Sequence, residues 1–120
     1  MPSRDAELHF GDMLKAIRRV TAFIGPMSFA EYERDEKTAS AVERQLLIVT
    51  EASIRLSEEA HLLCPGVEWQ DMRNLGNRLR HVYHDIDNEL IWNIVHTDLP
   101  GLKSKVEQTL RTHFPAPPTS

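Results

Sequence analysis

Between Arg73 and His84 the chain places three arginines and two histidines without a single acid, in the run Arg73-Asn74-Leu75-Gly76-Asn77-Arg78-Leu79-Arg80-His81-Val82-Tyr83-His84. An arginine offers phosphate oxygens a planar, permanently charged fork of donors, and an imidazole exchanges protons near neutral pH. Together they match what phosphodiester cleavage without a metal ion requires. At 100° per residue on a helix, Asn74, Asn77, Arg78 and His81 share one face, and Met72, Leu75, Leu79 and Val82 take the opposite arc. One side of that helix packs while the other presents amides, a guanidinium and an imidazole. Read without any function, the same residues are a solvated surface face, with His81 favoured at a helix end by the dipole.

Such a face needs a scaffold, and composition bounds what that scaffold is. A chain of 120 residues is one domain's worth, enough for one modest core. Fourteen Lys and Arg against eighteen Asp and Glu leave a formal charge of -4, so the surface as a whole is no trap for nucleic acid and any RNA contact must be local. The single cysteine, Cys64, excludes an intrachain disulfide framework, and no Cys/His spacing suits structural zinc. A reducing interior, the cytoplasm, is the expected location. The N-terminus has neither the apolar core of a signal peptide nor, anywhere after it, a run of 18 apolar residues, so no membrane association is expected.

The apolar periodicity predicts an all-α antiparallel bundle of about four to six helices. Phe10, Met13, Ile17, Val20 and Ile24 form the stripe of a first helix that Gly25-Pro26 ends. Ser28-Phe29-Ala30-Glu31 has the form of a capping box, and Asp35 caps a long helix expected to reach about Leu63. Its near-heptad seam runs Ala39, Val42, Leu46, Val49, Ser53, Leu56, Ala60 and Leu63, while Leu47, Ile48 and Ile54 lie off it and ask for further neighbours. Cys64-Pro65-Gly66 closes that element, and the helix bearing the basic stretch starts near Glu68. Asp87 caps a helix carrying Leu90, Ile91, Ile94 and Val95. Asp98-Leu99-Pro100 is expected to restart the chain with proline at the first helical position. Residues 1–114 are read as one helical domain, and 115–120 as a disordered Pro-rich tail.

The segment Trp69-Gln70-Asp71-Met72-Arg73-Asn74 through His81-Val82-Tyr83-His84-Asp85-Ile86-Asp87 resembles the signature of the HepT-like (DUF86) branch of the HEPN superfamily. There a tryptophan precedes an Arg-Asn pair, a spacer, His-x-Tyr and an acidic-hydrophobic-acidic turn. The resemblance extends through Glu58-Glu59-Ala60, Ile91-Trp92 and Asp98-Leu99-Pro100, leaving out only the Pro-rich tail. It implies a homodimeric bundle with a polar cleft at the dimer interface, which cleaves RNA without a cofactor or metal through an Arg-x4-6-His motif. It also implies a toxin silenced when an MntA-like nucleotidyltransferase antitoxin transfers AMP to the motif tyrosine.

Carried onto this chain, His81 takes the histidine and Tyr83 the tyrosine, the AMP acceptor. With four intervening residues the arginine falls on Gly76, while the following Asn77 matches. Arg73 lies one residue too far, and Arg78 and Arg80 too close. Either a neighbouring arginine supplies the charge, Arg78 being preferred because it shares the face of His81 at i to i+3, or catalysis is lost. Arg80 points about 100° from His81 and is expected to matter less. Arg73, Asn74, Asn77 and Arg80 are read as lining the polar cleft. The second reading is thus a catalytically silent HEPN dimer that binds a nucleotidyltransferase or a nucleotide, and the third a structural dimer with neither activity.

Glycine inside a helix costs about 0.8 to 1 kcal/mol relative to alanine, so Gly76 suggests that another backbone or a ligand passes close by, as at a tight crossing in a dimer interface. The alternative is an unselected substitution on an exposed face. His81, His84, Asp85 and Asp87 look ligand-rich but lack partners at metal-site spacing, and no metal is expected. Cys64 before a proline reads as structural, Trp92 as core, and Trp69 as either core or a stacking surface.

Overall fold

The first helix forms because an apolar residue returns to the same face every three or four positions. In the computed structural model, which describes residues 4–81 and 87–116, α1 spans Arg4–Ile24 and buries Ala6, Phe10, Met13, Leu14, Ala16, Ile17, Val20 and Ile24. Gly25 ends it with φ +51° and donates its N–H to Thr21 O at 2.9 Å, a left-handed C-terminal cap that Pro26 prevents from continuing. The expected capping box is present ahead of α2 (Phe29–Arg34): Glu31 N–H donates to Ser28 Oγ at 3.2 Å and Ser28 N–H to Glu31 Oε1 at 3.1 Å. The Ser28 backbone N–H, with the Ser28 hydroxyl adding to it, holds the Glu31 carboxyl below its usual range. Asp35 caps α3 through Thr38 N–H at 3.0 Å.

Helix α3 runs Glu36–Arg55, not to Leu63 as its seam predicts. Leu56 is extended, and Ser57 starts a separate short helix, α4 (Glu58–Leu62), by accepting from Ala60 N–H at 3.1 Å. The physical reason lies in Ser57-Glu58-Glu59: a serine favoured as N-cap, followed by two carboxylates in the first turn, stabilises a new helix start more than continued winding. The His61 ring compensates the interrupted ladder by donating Nε2–H to Ser53 O at 2.9 Å. The seam survives the break, since Leu56 and Ala60 stay buried.

After Gly66, at φ +87°, the chain enters α5 (Trp69–His81) close to the expected start. Asp87 caps α6 (Asn88–Asn93) through Glu89 N–H at 2.9 Å. The expected restart at Asp98-Leu99-Pro100 takes a different form. The chain keeps winding, widens into a π turn over Ile94–Asp98, and passes directly into α7 (Leu99–His113). Asp98 makes no side-chain cap, and Leu99 N–H reaches back five residues to Ile94 O. Pro100 explains the widening: it has no N–H to donate, and its ring would press on a carbonyl four residues back in a regular turn.

The described residues contain helices and no strand, and the all-α expectation holds. The core lies between α1, α3 and α7, where Phe10, Met13, Ile17, Val20, Val42, Leu46 and Val106 are each at most 1 % exposed. Burial of each large side chain contributes on the order of 1.5 to 3 kcal/mol. Tyr32 and Trp92 close one end at a ring separation of 5.5 Å, with Phe29 edge-on to Trp92 at 5.7 Å. Burial, with Glu43 adding to it, pushes the Tyr32 phenol pKa up to about 12. Helix α5 is the outlier, for Gly76 is its one buried residue and it packs chiefly on α3. None of the described helices is long and apolar enough to cross a membrane.

Candidate functional site

Helix α5 is amphipathic in the sense the sequence predicts. Met72, Leu75 and Leu79 are half-buried on the α3 side, whereas Arg73, Asn74, Asn77, Arg78 and His81 are exposed on the other. The five therefore form one solvent-facing strip, and Arg80 is half-buried at its edge. Tyr83, His84 and Asp85 lie outside the described residues.

Two side-chain bonds organise the strip. Gln70 donates Nε2–H to Asn74 Oδ1 at 3.0 Å, and Arg80 donates Nη2–H to Asn77 Oδ1 at 2.6 Å. The second is short and charge-assisted, so it fixes the arginine head as well as adding energy. Arg73 and Arg78 form no ion pair or hydrogen bond among the described residues.

Gly76 has a close neighbour, as its place in mid-helix suggests, and that neighbour is inside the chain. A Cβ built at Gly76 would stand 2.9 Å from Thr50 Oγ1 and 3.0 Å from Thr50 Cβ, nearer than carbon atoms in side chains pack. Thr50 belongs to α3, is fully buried, and donates its hydroxyl to Leu47 O at 2.9 Å. The tight crossing is thus α5 on α3. Thr50 is a residue that sequence reasoning missed: it lies off the apolar seam, and no periodicity singles out a threonine beside a glycine 26 positions later.

A cavity of about 420 Å³ opens on the opposite side of α5, lined among others by Thr50, Met72, Leu75, Ile94, Leu102 and Lys105. None of the predicted site residues that are described lines it. The cationic strip is therefore an open surface rather than a cleft within one copy. Trp69 stacks on His61 at 4.2 Å with ring planes 13° apart, and Trp92 lies among Phe29, Tyr32 and His96, so both indoles serve internal packing. Cys64 is fully buried, and burial pushes its thiol pKa up, which suits packing rather than nucleophilic attack. No three His, Cys, Asp or Glu side chains converge as a metal site among the described residues.

The all-α bundle presents guanidinium, amide and imidazole groups together at one exposed helix end. The chain belongs to the HepT-like family, whose model, described as ribonuclease HepT-like, matches residues 13–109. It is similar to a protein of Methanocaldococcus jannaschii provisionally named an RNase, with 32% identity over 92% of each chain. It is also similar to a protein of Thermococcus cleftensis named, again provisionally, ribonuclease HepT, with 33% identity over 81% of this chain and 88% of that one. No solved structure gives a significant match.

Proposed function

We propose that this chain is the toxin of a toxin–antitoxin pair, an endoribonuclease acting without a metal through the exposed end of α5. The observation that carries the reading is the strip itself, where His81 stands in the last turn with Arg78 and Arg80 beside it and no acid lies between Arg73 and His81. The ribonuclease family and the provisional names of its relatives support RNA as the substrate class. In the proposed step the ribose 2′ oxygen attacks phosphorus, the O2′–P bond forms and the P–O5′ bond breaks. The 2′ proton passes to neutral His81, the 5′ oxygen takes a proton from water, and the arginines steady the charge on the phosphoryl oxygens. Incubating the purified chain with single-stranded RNA in excess EDTA is expected to give 5′-hydroxyl and 2′,3′-cyclic phosphate ends. Intact RNA under those conditions overturns the proposal.

A homodimer belongs to this reading, because the strip is open in one copy and α5 leaves Met72, Leu75 and Leu79 only half covered. Light scattering at micromolar concentration is expected to give twice the chain mass, and a monomer would remove this part.

The regulatory part rests on the sequence, where Tyr83 holds the place of the motif tyrosine. Co-expression with an MntA-like nucleotidyltransferase is expected to add AMP to the Tyr83 peptide and to silence the toxin. An unmodified peptide from cells where that enzyme modifies other substrates counts against it.

One observation favours a second reading. Gly76 stands where the resemblance places arginine, as in a catalytically silent dimer that retains only nucleotidyltransferase or nucleotide binding. Growth of cells expressing the chain alone separates the two, since only an active toxin arrests them.

A further inference from the structure

Position 76 cannot carry a side chain without moving Thr50, yet the space beside it is not empty. The third atom near a Cβ built there is Arg80 Nη1, at 3.4 Å. Arg80 therefore reaches back one turn and lays its guanidinium against the bare backbone of Gly76, while Nη2 donates to Asn77 Oδ1 at 2.6 Å. The head is held from two sides. Side chains on a helix lean toward its N-terminus, which brings an arginine at 80 to the level of 76 and 77.

This anchoring changes which arginine is matched to His81. By position alone Arg80 is about 100° from His81, and Arg78 about 60°. Asn77, however, lies between them, about 60° from Arg80 and about 40° from His81, one turn below the imidazole. The bond ties the Arg80 head to Asn77, the residue whose position lies between those of Arg80 and His81 on the helix surface. Arg80 spends one N–H on Asn77 and keeps the others of its five for a ligand. Being already ordered, it loses less conformational freedom on meeting a phosphate than the exposed Arg78.

We infer that Arg80 is the phosphate-binding arginine of this centre and that Asn77 is its positioning residue. The pair places a guanidinium over Gly76, where the matching arginine would otherwise originate. The inference rests on the ribonuclease reading above and names the group that reading leaves open between Arg78 and Arg80.

The test uses the purified full chain and a short single-stranded RNA, with kcat and KM measured for four proteins. Arg80→Ala is expected to lose about 100-fold in kcat, the scale of removing one charge-stabilising donor group, and Arg78→Ala about tenfold or less. Millimolar guanidinium chloride is expected to restore part of the Arg80→Ala rate and none of the Arg78→Ala loss, a readout a merely structural role would not produce. Asn77→Ala is expected to lower kcat about tenfold with KM within twofold, since the cation remains but is no longer held in place. An Arg80→Ala rate within threefold of wild type, or a larger loss in Arg78→Ala, overturns the inference and leaves the ribonuclease reading standing. A wild-type chain that cleaves nothing overturns both.

Discussion

Replacing His81 with alanine is expected to lower RNA cleavage by at least about 100-fold and to abolish growth arrest, leaving the fold untouched. The rate estimate is the lower end of what a positioned general acid or base contributes. Stability is separable from catalysis because His81 is exposed in the last turn of α5 and bonds to nothing among the described residues. Exposed substitutions of that kind stay within about 0.5 kcal/mol, and the largest loss in view is the favourable placement of a basic residue at a helix C-terminus. A melting temperature within about 2 °C of wild type is the control that shows the fold intact. His81→Ala protein that is folded and still cuts RNA would remove His81 from the centre and with it the proposed chemistry.

The fold was legible where periodicity and punctuation agreed. Gly25-Pro26, the Ser28/Glu31 capping box, Asp35 and Asp87 each mark a boundary that the structure keeps. Where two local signals competed, pattern alone could not choose. The apolar seam through Leu56 and Ala60 argues for one long helix, Ser57 with its following carboxylates argues for a new one, and the cap wins while the seam stays buried across the break. At Pro100 the sequence announces an interruption, but a missing N–H and a ring clash are compatible with either a break or a wider turn, and the chain takes the wider turn. The same limit applies to the site. Helical angles correctly placed Asn74, Asn77, Arg78 and His81 on one exposed face. For Arg80 an angle describes only where its Cβ leaves the helix, not where its head lies, beside Gly76 and bonded to Asn77. A seven-atom side chain that folds back over a glycine ends elsewhere. The 77/80 spacing, a neighbouring pair at i and i+3, was the available signal.

Gly76→Arg is the substitution that puts the arginine at the motif spacing, and it is expected to damage the protein it appears to repair. Even the Cβ must displace Thr50, whose hydroxyl is tied to Leu47 O and whose side chain is fully buried. Overpacking of this kind costs about 1 to 3 kcal/mol, against which a better helix former than glycine returns about 1 kcal/mol. For Gly76→Ala the net expectation is therefore a loss of up to about 2 kcal/mol, a fall of up to roughly 8 °C in melting temperature for a domain of this size. Gly76→Arg adds a second guanidinium where Arg80 already lies, and its loss should exceed that of Gly76→Ala. Because Thr50 and Gly76 belong to the same chain, the loss appears as instability of the α3–α5 crossing at any protein concentration, where a crossing between copies would make it concentration-dependent. Thr50→Ala removes the hydroxyl from the path of the new Cβ and is expected to recover about half of the Gly76→Ala loss in the double variant, a coupling that additive effects cannot give. Thermal unfolding followed by circular dichroism reads these four variants beside wild type. A Gly76→Arg chain as stable as wild type would mean that α5 moves away from α3 at little cost, and the assignment of Gly76 to a tight internal crossing would fail.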